Sequence, residues 1–239
     1  MADAQLPMVV LGIDTATAVA SVGLVRGGKL LAEESRRAVS GHTEILLPLI
    51  ADLLAQSSMS LAELSGIGVS IGPGSFTGLR VALSTVKGFA YALGHRVVGV
   101  STLEALAHTV KDWEGLVCPL LDARKHEVYA ALFHRDWHGR LERLTPDLVL
   151  TPHALLERIT APCLFLGDGV DPYGKLIREQ CQPTVSILPF VSYHPRGAVV
   201  AHIACERLCL GEQEDLHSLT PRYGRLPKAE LKRTDFHTL

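Results

Sequence analysis

The sequence lacks the features that mark a disulfide-stapled, zinc-stapled or membrane-spanning protein. Its five cysteines are odd in number and form no Cys-x2-Cys pair, which argues against a disulfide framework and against a structural zinc site. No stretch approaches the roughly 20 apolar residues of a membrane helix, and the N-terminal residues show no basic region of a signal peptide. We therefore expect a soluble, cytoplasmic protein with reduced thiols and no membrane partner.

A strong excess of charge of either sign is also missing. The 23 basic and 25 acidic residues leave a formal net charge of -2, so the chain has no overall field that would hold nucleic acid by itself. We therefore expect any contact with nucleic acid to depend on a partner. An apolar content of 47% over 239 residues suffices for the core of one large domain or for the cores of two lobes.

The most informative stretch is a glycine-rich loop at 72–80, which reads Gly-Pro-Gly-Ser-Phe-Thr-Gly-Leu-Arg. It follows an apolar run of strand type at 67–71 and precedes a helical pattern over 78–93. Such a loop directs free backbone N–H groups and the positive end of the helix dipole at whatever lies above them. Two interpretations stay open: a plain tight turn, or a site for an anion or a partner's backbone. An ordinary P-loop is excluded, because no lysine follows Gly78.

The order of the predicted elements indicates an α/β protein with two lobes. Three strands and a helix open the chain, and strands and helices then alternate, which suits a sheet with an antiparallel edge and parallel core strands. The second half again begins with strands, at 116–123 and 127–134, which suggests a duplicated architecture. The predicted boundaries are 1–103 for the first lobe, 104–220 for the second, smaller lobe and 221–239 for a basic tail. Whether the last helix, 198–210, packs back on the first lobe is left open.

Few residues are candidates for chemistry. Asp14, Thr15 and Thr17 follow a buried strand, where a carboxylate and two hydroxyls would suit a phosphate or its Mg2+. The same residue types also satisfy ordinary turns, and the sequence alone does not decide between the two interpretations. The charge-rich segment 122–129 is interpreted as a solvated hairpin.

Eleven histidines invite a metal site, but their spacing argues against one. The pair His134 and His138 lies at a predicted hairpin tip, where residues four apart do not share a face as they do on a helix. His42 begins a predicted helix, and Leu46 stands where a second ligand would be. No Gly-x-Ser-x-Gly elbow is present either. We therefore assign no catalytic residue and no metal ligand.

Five segments of this chain, in this order, resemble the bacterial TsaB (YeaZ) family. They are Leu11–Thr17, Gly72–Arg80, Gly99–Glu104, Leu121–Tyr129 and Gly167–Gly169. The resemblance covers nearly the whole chain, and the glycine-loop motif with its helix is specific to the family and its close relatives. It implies a two-lobed actin-like ATPase (ASKHA) fold with mixed sheets flanked by helices.

The resemblance also implies a noncatalytic scaffold or activator subunit. Family members form a heterodimer with the paralogue TsaD, which holds the metal, and the ATPase TsaE joins them. TsaD transfers a threonylcarbamoyl group from threonylcarbamoyl-adenylate to the adenosine beside the anticodon of tRNAs that read codons beginning with A. We therefore expect tRNA to be bound through the complex. Loss of the second histidine at Leu46 agrees with a subunit that has lost the paralogue's metal chemistry.

The resemblance further assigns surfaces, because family members use the first long helix and the glycine-loop helix both for TsaD and for homodimers. The matching interface residues here are His42, Leu46, Leu49, Ile50, Leu53, Ser75, Phe76, Thr77, Leu79, Arg80 and Leu83. A degenerate nucleotide site is matched by Asp14, Thr15, Thr17, Gly72 and Gly74. The resemblance implies no tightly bound cofactor and at most weakly held ATP or ADP.

Two other functions are weighed beside the scaffold. An actin-fold ATP-dependent phosphotransferase would use Asp14, Thr15 and Thr17 on ATP and Mg2+. A metalloprotease is the third hypothesis, against which the histidine spacing argues. The sequence leaves open whether the isolated chain is a monomer or a homodimer, and whether the basic tail is a solvated end or a docking arm.

Overall fold

Two mixed β-sheets with helices packed on them form the framework of the chain. The computed structural model describes residues 7–39, 41–181 and 184–224. The strands are β1 (Val9–Asp14), β2 (Val19–Arg26), β3 (Lys29–Arg37), β4 (Gly66–Gly72), β5 (Arg96–Ser101), β6 (Gly115–Arg124), β7 (Glu127–Ala130), β8 (Phe133–Arg135), β9 (Leu141–Arg143), β10 (Leu148–Leu150), β11 (Cys163–Leu166) and β12 (Val185–Ile187). The helices are α1 (His42–Gln56), α2 (Phe76–Leu93), α3 (Thr102–Thr109), α4 (Pro152–Leu156), α5 (Val170–Gln180) and α6 (Gly197–Cys209).

The first sheet has the strand order β3-β2-β1-β4-β5. β1, β2 and β3 pair antiparallel, whereas β4 pairs parallel with both β1 and β5. Gly27 and Gly28 make the two-residue turn between β2 and β3, and both have positive φ angles, as a type I′ hairpin turn requires. β1 is buried at every residue, which explains its continuous apolar sequence. The antiparallel edge and parallel core that the sequence predicts are thus present.

The second sheet repeats this plan with strand order β10-β7-β6-β11-β12, and β8 and β9 extend it beside β6. Its central strands β6, β11 and β12 are parallel, and β7 and β8 pair antiparallel with β6. Apolar residues of α4 and α5 form one core cluster with residues of the second sheet such as Phe165. Apolar residues of α3 form a separate cluster with other residues of this sheet, such as Leu164. Within the described ranges, no helix has the length and apolar content that crossing a bilayer requires.

The last helix, α6, lies against the first sheet, because glycines leave room for its backbone. A Cβ atom placed on Gly12 would overlap the backbone of Gly197 and Ala201, and one placed on Gly23 would overlap Ala198. Buried residues of α6 share a core cluster with residues of β1 and β5. The question that the sequence left open is thus answered: this helix packs on the first lobe.

The structure departs from the predicted elements at several points. The boundary predicted between 103 and 104 falls inside α3. The strand predicted over 127–134 is interrupted at 131–132, which separates β7 from β8. α5 and β12 were not predicted, and α5 contains Pro172 and Gly174, which weaken a helical signal. Arg225, Lys228, Lys232 and Arg233 of the predicted basic tail lie outside the described residues.

We predict that Gly12→Ala lowers the free energy of unfolding by about 2 kcal/mol or more, because the added methyl group must push α6 away from the sheet. Gly88→Ala is the matched control, since Gly88 lies exposed in α2 with no atom within 4 Å of its added Cβ. Alanine at this exposed helical position should raise stability by about 0.5–1 kcal/mol. Urea unfolding of both variants measures the difference. Equal destabilisation of the two variants would contradict the backbone contact.

Candidate functional site

The turn between β1 and β2 holds the acidic group that the sequence assigns to a degenerate nucleotide site. Asp14 ends β1 and is fully buried. Its Oδ1 atom accepts a hydrogen bond from the Ala16 backbone N–H at 3.0 Å, whereas its Oδ2 atom is buried without a partner among the described residues. Burial raises the pKa of the Asp14 carboxyl to about 6, although the nearby Ser70 hydroxyl and the Ala16 amide act in the opposite direction.

The glycine loop closes directly over this turn. The Ser75 backbone N–H donates to the Ala16 carbonyl at 2.7 Å, and the Thr15 hydroxyl donates to the Gly78 carbonyl at 2.8 Å. A Cβ atom on Gly74 would lie 2.5 Å from the Ala16 carbonyl oxygen. The Ser75 side chain caps α2 by accepting from the Gly78 N–H at 3.2 Å. The Ser75 and Gly78 backbone N–H groups are therefore already bonded within this chain, whereas an anion at the helix N-terminus would need such donors.

The five residues of the predicted nucleotide site come together, but they do not form an open site. Asp14 and Thr15 are 0% exposed and Thr17 is 4% exposed. Gly72 is buried and Gly74 lies half-buried against Ala16. A nucleotide phosphate does not fit against these atoms in this conformation, because the glycine loop covers them. Weak nucleotide binding stays a prediction that would require the loop to open.

His42 belongs to the same closed unit. It begins α1, it is 8% exposed, and its Nε2 atom donates to the Thr17 carbonyl at 2.9 Å. Burial lowers the pKa of His42, which favours the neutral ring with its proton on Nε2. Leu46, one turn further along, is 0% exposed in the core. Among the described residues, no group of three or more His, Cys, Asp or Glu side chains is arranged to hold a metal ion.

The structure places most apolar members of the predicted partner surface in the core of this chain, so their contact with a partner stays a prediction. Helices α1 and α2 turn their leucine and isoleucine stripes toward the first sheet. The buried members are Leu46, Leu49, Ile50, Leu53, Leu79 and Leu83, all at most 4% exposed. His42 is buried as well, and Ser75 is half-buried by its capping role. Phe76, Thr77 and Arg80 remain exposed, so contact of a partner with α2 stays a prediction that rests on these residues.

An aromatic cluster surrounds Arg80 at the start of α2. The rings of Phe76 and Tyr223 lie 4.6 Å apart, and the Arg80 guanidinium lies 3.9 Å from the centre of the Phe76 ring. The Arg80 Nε–H donates to the Tyr223 hydroxyl at 2.7 Å. The segment that carries Tyr223 is held at the end of β4, since the Arg222 backbone N–H donates to the Ile71 carbonyl at 2.6 Å. We call Phe76, Arg80 and Tyr223 the aromatic cluster.

Tyr223 is a candidate functional residue that sequence reasoning missed. It lies 143 positions from Arg80 along the chain, so no local pattern connects the two. The local signal for it is the Pro221-Arg222-Tyr223 segment, which opens the basic tail predicted over 221–239. The described start of that tail packs on the glycine loop.

The exposed face of α2 continues from the aromatic cluster along the helix. Thr77, Arg80, Ser84, Gly88 and Tyr91 recur at three- and four-residue spacing, so they lie on one side. The exposed apolar side chains of α1 and α2 include Leu47 (52% exposed), Phe76 at the start of α2 (50%) and Tyr91 near its end (59%). A shallow groove of about 410 Å³ is lined by Thr43, Phe76, Thr77, Arg80, Val81, Ser84 and Thr85. Aromatic and arginine side chains contribute a large share of the binding energy at many protein interfaces.

A second unusual turn joins β6 to β7. Arg124, Lys125 and His126 all have left-handed φ angles, of 62°, 53° and 61°. Such conformations are costly for residues other than glycine and often mark functional segments. The Asp168 carboxylate supports β6 by accepting from the Asp122 N–H at 2.9 Å, and burial raises the pKa of Asp168 to about 6. The sequence interpretation of a plain solvated hairpin did not anticipate this backbone.

Comparison with known proteins identifies relatives over most of the chain. Residues 35–231 match the family model described as "TsaD: tRNA N6-adenosine threonylcarbamoyltransferase". The TsaB protein of Bacillus subtilis is 31% identical over 228 residues, which cover 94% of this chain and 97% of that protein. The TsaB protein of Escherichia coli is 33% identical over 180 residues, covering 72% of this chain and 76% of that protein. Both relatives are named as tRNA threonylcarbamoyladenosine biosynthesis proteins.

Solved structures agree with the sequence relatives. YeaZ from Pseudomonas aeruginosa is 28% identical, with a TM-score of 0.76 over 90% of this chain and 99% of that one. Component A of the (R)-2-hydroxyglutaryl-CoA dehydratase of Acidaminococcus fermentans, at 11% identity and a TM-score of 0.53, shares the fold alone. The two mixed sheets with their helices are thus the predicted actin-like ATPase fold. On this evidence the chain belongs to the TsaB (YeaZ) family of tRNA threonylcarbamoyladenosine biosynthesis proteins.

Proposed function

We propose that this protein is a noncatalytic scaffold subunit that activates threonylcarbamoylation of the tRNA adenosine next to the anticodon, in tRNAs that read codons beginning with A. It acts in the cytoplasm by pairing with the catalytic paralogue TsaD and by joining the ATPase TsaE. tRNA is bound by the complex, because the net charge of this chain is only -2. Family membership supports a role in this biosynthesis, and the exposed aromatic cluster is the observation that carries the scaffold role.

The aromatic cluster is suited to a partner for physical reasons. Phe76 is 50% exposed although it is held between Arg80 and Tyr223, so its position is fixed before binding. Pre-ordered side chains lose little conformational entropy when they enter an interface. Gly88 lies on the same face of α2, and because it has no side chain, another helix can approach the backbone closely there. The same face would join two copies of this chain when the paralogue is absent.

The phosphotransferase alternative is less well supported. A carboxylate that holds Mg2+ beside ATP must be accessible to the ion. Asp14 is fully buried, and its pKa is raised to about 6 by that burial. The glycine loop further covers the turn through the Ser75 and Thr15 hydrogen bonds. We therefore assign Asp14 a structural role in the closed turn.

The scaffold proposal is tested by threonylcarbamoyl transfer in a mixture of the paralogue TsaD, the ATPase TsaE, threonylcarbamoyl-adenylate and tRNA. We expect modified adenosine to form only when this chain is present, because the paralogue needs its partner face. The modified nucleoside is measured after digestion of the tRNA. Full modification without this chain would refute the scaffold role.

Substitutions in the aromatic cluster test the partner face. We expect Phe76→Ala and Arg80→Ala each to weaken binding to the paralogue by about 10–100-fold, as truncation of buried interface anchors does. Trp137→Ala is the matched control, since Trp137 is an aromatic residue that is 75% exposed on the second lobe. Sedimentation measures the affinity, and thermal melts confirm that each variant is folded. Unchanged affinity of both cluster variants would move the partner surface elsewhere.

The pH dependence of stability tests the role of Asp14. The folded state holds the Asp14 proton with a pKa of about 6, against 3.8 in the ordinary carboxyl, so ionisation of this group destabilises the fold. This penalty is complete above about pH 6 and absent below about pH 4. Asp14→Asn should therefore raise the free energy of unfolding by up to about 3 kcal/mol at pH 8 and leave it nearly unchanged at pH 4. Urea unfolding at both pH values measures the effect.

Asp112→Asn, at an exposed aspartate, is the control for the pH experiment, and we expect no gain at either pH. Addition of ATP and Mg2+ separates the two functions in the same assay. A large stabilisation of the native protein by ATP and Mg2+ that disappears in Asp14→Asn would favour the phosphotransferase instead.

A further inference from the structure

A cavity of about 510 Å³ lies between the first sheet, α6 and the second sheet, away from the glycine loop. Its lining includes Gly28 of the β2–β3 turn, which lies at the opposite end of β2 from the turn at 14–17. The remaining walls come from the segment after α3, from the β8–β9 hairpin and from the start of α6. Its volume lies within the range of small-molecule sites in proteins, about 300–1,000 Å³.

The cavity wall includes a buried cation, Arg135, with no carboxylate of a described residue within ion-pair distance. Arg135 is only 5% exposed, and it forms no ion pair with any residue that the structure describes. Its guanidinium donates to the Gly139 carbonyl at 2.5 Å and to the Ala107 carbonyl at 3.3 Å. Its Nε atom is buried with no hydrogen-bond partner among the described residues. A buried charge left in this state is costly, and an anion would remove the cost.

Two further cations lie on the cavity wall, Lys111 and Arg196. His108 and His202 line it as well, and burial lowers the pKa of His108, which favours its neutral ring. The nearby acids are committed elsewhere, since Glu33 pairs with Arg196 and Glu206 pairs with His202. The Asp136 carboxylate opposes the lowering of the Arg135 pKa by burial, but it lies beyond ion-pair distance and accepts from the backbone N–H groups of His138 and Arg140. Lys111 forms no ion pair among the described residues, so positive charge on this wall is left uncompensated.

We infer that this cavity binds a small phosphate-bearing anion, with Arg135 and Lys111 as its charged contacts. Arginine and lysine are the side chains that bind phosphate most often, through charge-assisted hydrogen bonds. Val25, Leu30 and Val199 line another part of the cavity and offer an apolar surface to the organic portion of such a ligand. The burial of Arg135 favours a terminal phosphate group, which is small enough to enter, over the backbone of a nucleic acid, which needs an open surface.

This cavity is separate from the closed turn at 14–17 and from the aromatic cluster, because it shares no lining residue with either. A ligand here would contact α6, which packs on the first sheet, and the β8–β9 hairpin of the second sheet. The anion would therefore join the two lobes, independently of the partner that the proposed function requires.

Calorimetric titration of the full chain with inorganic phosphate and with pyrophosphate, at constant ionic strength, tests the inference. We expect saturable binding of at least one of these anions and no heat of binding from chloride. Lys111→Ala should raise the dissociation constant about 3–10-fold and Lys111→Glu should abolish saturable binding, because this side chain is exposed at the rim and its loss leaves the fold intact. Lys175→Ala is the matched control, since Lys175 lies 87% exposed on α5.

Arg135→Met extends the test to the buried contact. This variant should lose saturable binding while thermal melts show a folded protein. If it does not fold, the two Lys111 variants decide the question. The inference is wrong if neither anion binds saturably to the native chain, if the Lys111 variants bind as well as Lys175→Ala, or if only a short RNA oligonucleotide binds.

Discussion

The contact between the glycine loop and the turn that follows β1 governs the rest of the candidate surface. Ser75 and Thr15 join the two segments by hydrogen bonds that involve backbone carbonyls, at 2.7 Å and 2.8 Å. These bonds require that Gly74 and Gly78 carry no side chain, since a Cβ atom on either would collide with the turn. The contact fixes where α2 begins and therefore which of its residues face solvent. In this molecule the loop that resembles an anion site serves as a backbone clamp.

The clamp explains why the apolar stripe of α2 is buried while the aromatic cluster is exposed. One face of an amphipathic helix can cover its own sheet or a partner, and here most leucines of α1 and α2 cover the sheet. The residues left outside include Leu47 of α1 and polar side chains of α2, and the Phe76 ring among them is supported by Tyr223. A partner on this side would thus meet a pre-formed surface on which few side chains need to be ordered.

The sequence predicted the parts of the fold that local patterns encode. Apolar runs and the helix after the glycine loop are encoded by signals within a few residues of one another, and these predictions were confirmed. α5 was missed because Pro172 and Gly174 obscure its period. At the candidate site, the family resemblance assigned two helices to the partner surface but did not decide which side of each faces the core. That choice depends on contacts between distant segments, such as Arg80 with Tyr223, which no local pattern records.

Two buried charged groups illustrate how the chemistry of a side chain decides what its burial means. Asp14 can relieve the cost of burial by taking up a proton, and the rise of its pKa to about 6 reflects that release. Arg135 has no such release, because a guanidinium does not give up its proton under physiological conditions. Burial lowers its pKa, but from a value so high that the group stays charged. A buried aspartate is therefore compatible with a purely structural turn. The Arg135 guanidinium keeps its charge with no carboxylate of a described residue within ion-pair distance, and an anion from outside the chain would neutralise it.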